Sequence, residues 1–208
     1  MPNPFAKIAF TDSVKRAQQH YGTRRANERL ESHDRLDELT ANEAAFIRDR
    51  DGFYMATVNE NGHPYVQFRG GPKGFLKTLD ERTLGFADFR GNLQYISVGN
   101  LRANNNAALI LMDYPKQARL KILAEIEVLD LSDDPDLMAK LTVEDYPARI
   151  ERAMILHVTA YDWNCPQHIT PRFTLGEVEA GTEPLRQRIR DLEAEIAALR
   201  IAKSDAGV

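Results

Sequence analysis

The chain has 208 residues, with 27 Lys and Arg against 31 Asp and Glu for a formal charge of −4; that length can bury one good core. A pI near 5.8 gives no overall attraction to nucleic acid or anionic lipid, so neither is expected as a partner. The longest apolar run, Ala107 to Met112, is far short of the roughly 20 residues that cross a bilayer, no secretory leader is expected from Met1-Pro2-Asn3-Pro4-Phe5, and a lone cysteine, Cys165, suits the cytoplasm.

Thr11 to Leu30 is polar and charged, with Val14, Ala17 and Tyr21 at helical spacing and Gly22 as a stop, and reads as an N-terminal helix and arm. Thr40-Ala41-Asn42-Glu43 matches a capping box and predicts a short helix from Ala41 to Arg50. The period then changes to two. Phe53 to Val58 and Pro64 to Arg69 flank Asn59-Glu60-Asn61-Gly62, a hairpin signal because Asn-Gly readily takes positive φ. Further strands are expected at Thr83 to Phe89, Ala107 to Asp113, Arg119 to Leu129 and Arg152 to Trp163, with a connecting helix over Asp134 to Leu141. In Arg119 to Leu129 the apolar Leu120, Ile122, Ala124, Ile126 and Val128 alternate with Arg119, Lys121, Glu125 and Glu127, so one face should be wet. Six such strands without regular strand-helix alternation predict a mainly β fold with flanking helices, a six-stranded antiparallel barrel rather than a parallel sheet. Over Glu183 to Arg200, Leu185, Ile189, Leu192, Ile196 and Leu199 form a heptad seam with Ile at a and Leu at d.

Three segments end apolar runs with groups suited to a phosphate and a planar heterocycle. The first is Gln67-Phe68-Arg69-Gly70-Gly71-Pro72-Lys73-Gly74, which fits neither the P-loop spacing nor the dinucleotide fingerprint. Its glycines would let a ring approach the backbone, and Arg69 would face a phosphate. The second, Arg90-Gly91-Asn92 with Gln94, Ser97, Gly99 and Asn100 behind it, concentrates charged and amide donors. The third is Trp163-Asn164-Cys165-Pro166-Gln167-His168. Taken singly, the first also reads as a glycine-rich loop with a solvated Arg, the second as a polar turn with a cap, and Arg119 and Lys121 as solubilising residues. Cys165 and His168 have metal-like spacing, but a structural zinc wants four protein ligands and no second pair exists, so no metal is expected.

Together, Gly62-His63-Pro64-Tyr65, the Gln67 to Gly71 strand end, Arg90-Gly91-Asn92, Leu101 to Leu111, and the paired Trp163 and Arg172 resemble the pyridoxamine 5'-phosphate oxidase-like FMN-binding proteins of the split β-barrel superfamily, in order over residues 40 to 175. The resemblance implies a homodimer with FMN in clefts between subunits. It places Gln67, Phe68 and Arg69 along the isoalloxazine, Arg90, Asn92 and Gln94 near the phosphate, and Gly70, Arg119, Trp163, Gln167 and Arg172 at further cofactor-binding positions. It also implies an FMN-binding domain over 1–182, its helical arm being 1–39, followed by a C-terminal helix over 183–208. Departures are visible: Gln67 stands where the oxidases have an Arg, and a Gly-Gly-Pro run replaces the Lys that follows. These weaken a vitamin B6 substrate more than they weaken FMN.

The resulting expectation is an FMN-dependent oxidoreductase acting on a small molecule, with NADH or NADPH as a candidate reductant and Arg119 or Arg172 facing the flavin edge that gains negative charge on reduction. No side chain stands out as a catalytic acid or base. The rival readings are a flavin-binding sensor or electron-transfer module without turnover, and a haem- or deazaflavin-binding split barrel.

Overall fold

The computed structural model describes residues 3–32, 38–163 and 167–205. It divides into two compact units, Met1–Asp113 with Gln117–His168, and Tyr114–Lys116 with Ile169–Val208.

The first unit begins with three short helices, α1 (Pro4–Ala9), α2 (Asp12–His20) and α3 (Arg24–Ser32), where the sequence predicted one helix and an arm. Asn3 and Thr11 cap the first two with their side chains. Next comes α4 (Ala41–Arg48), which starts at the predicted capping box: Thr40 Oγ accepts from the Asn42 amide at 3.2 Å and Glu43 Oε2 accepts from the Thr40 amide at 3.0 Å. The predicted hairpin is β1 (Gly52–Val58) and β2 (Pro64–Gly70). In its turn Gly62 has φ 81°, and Asn59 Oδ1 accepts from the amides of Asn61 and His63 at 3.0 and 2.9 Å.

After the hairpin come β3 (Lys77–Thr78), β4 (Thr83–Phe89), α5 (Ile96–Ala103), β5 (Asn106–Asp113), β6 (Ala118–Asp130), α6 (Pro135–Leu141) and β7 (Ile150–Trp163). All strand pairs are antiparallel, in the order β2-β1-β5-β6-β7-β4-β3. The sheet therefore has seven strands where six were predicted. The addition, β3, has two residues, too few to show a period. Among the described residues no ladder joins β2 to β3, so the hydrogen-bonded sheet is not a closed barrel. Side chains nevertheless span the gap: Phe53 of β1 meets Phe86 of β4 edge to face at 5.4 Å, and Arg69 of β2 bonds Asp88 of β4.

Opposed residues on neighbouring strands share a face, so the register gives two surfaces. Phe53, Leu111 and Leu120 lie on the inner one with Arg69, and all three are buried at 1% exposure or less. On the outer one lie Phe68, Tyr54, Ile110 and Lys121, with Val66 and Phe68 more than half exposed. The predicted wet face of β6 belongs to this surface, but it is partly covered. Lys121 pairs with Asp162 at 3.1 Å and lies over the Phe5 ring at 4.5 Å, because the N-terminal helix folds back there. In the second unit the C-terminal helix α7 runs over Leu175–Asp205, longer at both ends than the heptad seam, with Pro184 inside it.

Candidate functional site

The site is built where β2 and β4 approach across the open side of the sheet. On β2, alternate residues Tyr65, Gln67 and Arg69 face inward, a consequence of the two-residue period. On β4, Asp88 stands in an otherwise apolar run and is 3% exposed. A carboxylate so placed needs cations, and it has two: Arg69 Nη1 donates to Oδ1 at 2.5 Å, and Arg152 Nη1 of β7 donates to Oδ2 at 2.7 Å. Arg152 extends to Glu151 at 2.9 Å and lies over the Tyr95 ring at 5.0 Å. Tyr95 Oη donates to Glu151 at 3.2 Å, and Arg90 approaches the same carboxylate at 3.7 Å.

The β4–α5 connection closes the other side. The β4–β7 register shifts at Asp88 and Phe89, a bulge that re-aims side chains at the end of the ladder. Leu93 and Tyr95 both take positive φ, 65° and 52°, a strained choice for residues with a bulky side chain. Tyr95 is the residue before the first turn of α5, and no side chain caps that turn. The helix start thus leaves backbone amides and the positive end of its dipole uncapped. Ser97 in the first turn donates to Gln67 Oε1 at 2.9 Å, tying α5 to β2.

These groups enclose a hollow of about 60 Å³ lined by, among others, Gln67, Arg69, Asp88, Asn92, Gln94 and Arg152. Three arginines, with Arg90 counted through its contact to Glu151, face two carboxylates, which leaves a net positive site. Burial draws the Arg69 guanidinium below its ordinary value, Asp88 opposing and Arg152 reinforcing the change. For Arg152 burial also acts downward, yet the hydrogen bond and charge of Asp88, helped by Glu151, hold it above. Both remain cations at neutral pH. Arg69 Nε is buried and has no hydrogen-bond partner among the described residues. An unpaired buried donor of a cation, beside a helix start without a cap, suits an oxyanion.

Of the residues the sequence singled out, Gln67, Arg69, Asn92 and Gln94 come together here, with Arg90 adjoining. Asn92 donates to Gln94 Oε1 at 3.1 Å, and its Oδ1 accepts from the Gln94 amide at 3.2 Å. Phe68 and Arg119 do not join them in this chain. Phe68 sits between Gln67 and Arg69 and so points to the outer face, against Tyr54 at 5.3 Å; a Cβ at Gly52 would lie 2.3 Å from its ring and one at Gly70 2.9 Å, so both glycines make room for it. Arg119 pairs with Met112, and its Nε is likewise buried without a partner among the described residues.

Trp163 belongs to a different cluster. Its indole donates to Glu43 Oε1 at 2.7 Å and meets the Phe46 ring edge to face at 4.7 Å. It lies eleven residues along β7 from Arg152, on the order of 35 Å of extended strand. Gln167 and His168 occupy a turn, exposed, and Arg172, in the second unit, lies over the Tyr114 ring at 4.9 Å. Asn164, Cys165 and Pro166 are outside the described residues. Sequence reasoning missed the roles of Asp88, Glu151, Arg152 and Tyr95. A carboxylate inside Leu84-Gly85-Phe86-Ala87-Asp88-Phe89 was the available signal, since it requires a cation from elsewhere.

The family model for pyridoxamine 5'-phosphate oxidase matches residues 39–164. No curated protein matches the chain. Among solved structures, HupZ of Group A Streptococcus superposes with a TM-score of 0.50 at 15% identity, covering 65% of this chain and 99% of that one. A provisionally assigned pyridoxamine 5'-phosphate oxidase from Lactobacillus delbrueckii gives 0.48 at 21% identity, covering 61% and 95%. An FMN-binding protein from Syntrophomonas wolfei gives 0.45 at 12%, covering 59% and 86%. Of these three only HupZ reaches 0.50, and at its identity the likeness speaks to the fold alone.

Proposed function

Since the chain belongs to the pyridoxamine 5'-phosphate oxidase family, we propose that it is a homodimeric FMN-dependent oxidoreductase of split-barrel architecture whose cofactor phosphate sits in the Arg69–Arg152 hollow. The observation that carries this reading is the buried, unpartnered Nε of Arg69 beside the uncapped start of α5. A phosphate dianion takes charge-assisted and backbone donors of that kind. Gln67, fixed by Ser97, and the amides of Asn92 and Gln94 supply further polar contacts at the mouth.

The hollow suits the phosphate and not a whole flavin, which needs a cleft of about 300 to 1,000 Å³. The proposal therefore puts the ring against a second copy of the chain. The exposed apolar outer face carrying Val66 and Phe68 is the surface that supports such pairing. Phe68, Arg119 and Trp163 would then reach a cofactor only from the copy that does not hold its phosphate.

When bound, the flavin supplies hydride transfer. The chain's own residues bind and orient it. In the hollow Asp88 is engaged by Arg69 and Arg152, and Glu151 by Arg152, Tyr95 and Arg90, which leaves neither carboxylate available as a general base. That same engagement favours, as the second reading, a flavin-binding module without turnover.

The test is spectroscopic. The purified protein should show the two-band flavin spectrum, which a haem or a deazaflavin would replace with its own, and should bind FMN at least tenfold more tightly than riboflavin. Equal affinity for the two would overturn the phosphate assignment. Reduction of bound flavin by NADH or NADPH supports the enzyme, and inert flavin the module.

A further inference from the structure

We propose that α7 is a dimerisation zipper that pairs in parallel with the same helix of a second copy. The inference concerns the helix alone and stands or falls separately from the flavin. Leu185, Ile189, Leu192, Ile196 and Leu199 are all 39% to 66% exposed, so nothing within the helix's own unit covers the heptad seam. The helix is continuous over 31 residues, about 46 Å. The register continues upstream with Leu175 at a and Val178 at d, both exposed as well, but is interrupted at the next a position by Thr182, whose hydroxyl donates to the Val178 carbonyl at 2.8 Å. Pro184 falls at c, away from the seam, so its ring does not enter the contact.

The charges identify the occupant. Side chains at outward positions bond within the helix: Arg190 to Glu183 at 2.6 Å, both at b, and Gln187 at f to Asp191 at c at 2.8 Å. The flanking e and g positions hold Arg186, Arg188, Glu193, Glu195 and Arg200, for which the described residues offer no ion pair or side-chain hydrogen bond; Arg186 at e would face Gly181 at g and gains no charged partner. In a parallel pair, g of one helix faces e of the next heptad on the other. Arg188 then meets Glu193 and Glu195 meets Arg200 of the second copy, opposite in sign each time. The seam is thus complementary to itself, and β-branched Ile at a with Leu at d is the two-stranded parallel pattern.

The experiment uses full-length protein with Cys165→Ser and either Leu185→Cys or Leu199→Cys. Parallel pairing places each new thiol opposite its own copy, so mild oxidation should give a covalent dimer in either single variant. Absence of a disulfide in both, with the protein dimeric in solution, would overturn the proposal. So would a disulfide formed only when Leu185→Cys and Ile196→Cys chains are mixed, which is the antiparallel outcome. Independently, Ile189→Glu should raise the dimer dissociation constant at least tenfold. Arg188→Glu should raise it a few-fold, and adding Glu193→Arg should restore it; a dissociation constant unmoved by Ile189→Glu would also refute the zipper.

Discussion

Two buried carboxylates in the first unit invite comparison. Glu43 is 5% exposed and Asp88 3%. Around Glu43 every bond is closed: Thr40 and its amide donate to one oxygen and the Trp163 indole to the other, and burial, which alone would raise the carboxyl, is outweighed so that it stays below the ordinary range. This cluster ties α4 to the end of β7. Around Asp88 the pairing is strong but incomplete. Arg69 Nε is left over, two bulky residues take left-handed backbone, and the adjoining helix start has no cap. A satisfied network holds a fold together, whereas surplus donors held in place by strain are what a ligand can use.

Breaking the pair at Asp88 should have the largest effect. Asp88→Ala strands two largely covered guanidinium groups, their side chains 12% and 13% exposed, and is expected to cost about 3 kcal/mol of folding stability in urea titrations. Arg90 sharpens the contrast because it is 42% exposed and only loosely paired. Arg90→Ala should leave stability within about 0.5 kcal/mol while costing on the order of 1.5 to 3 kcal/mol of FMN binding, read by flavin titration. A binding change within error would remove Arg90 from the phosphate.

Glu43→Ala should cost about 1 to 3 kcal/mol by leaving the indole and Thr40 without an acceptor, with FMN affinity unchanged. The sign of its pH dependence follows from the depressed carboxyl. The stabilisation is in place above the pH at which an unfolded Glu titrates, and is lost as pH falls through the lower folded value. Glu43→Gln should therefore flatten the acid limb of the stability curve and leave the neutral limb parallel to wild type. Smallest is Leu93→Gly, which relieves a left-handed leucine and should be neutral to about 1 kcal/mol stabilising, yet weaken FMN by loosening the loop.

Much of the fold was legible because its signals are local. The capping box at Thr40, the Asn-Gly turn and the alternation in β6 each depend on a few adjacent residues, and the structure has all three. Helix α5 escaped because half of its buried face is polar. Ser97 and Asn100 are buried beside Val98 and Leu101, bonded to Gln67 and Thr57, so no apolar period appears. The candidate site was half legible for a related reason. Its donors stand out as residue types, but Asp88 and Arg152 are 64 positions apart and only the sheet makes them neighbours. Reading Gln67, Phe68 and Arg69 as one lining set overlooked the period of two that the same strand otherwise displayed.

The clasp between Arg69 and Asp88 has a kinetic side as well. Strand β2 ends the sheet and, among the described residues, is paired only with β1, with side chains such as Arg69 linking it to β4 across the opening. Its amides should belong to the least protected cooperative unit of the sheet, exchanging with solvent hydrogen through openings far cheaper than global unfolding. Strands β6 and β7, paired along eleven positions in the middle of the order, should exchange last. An anion bridging β2 to α5 would slow the first class and leave the second alone, so amide exchange can report occupancy of the hollow without any substrate being known.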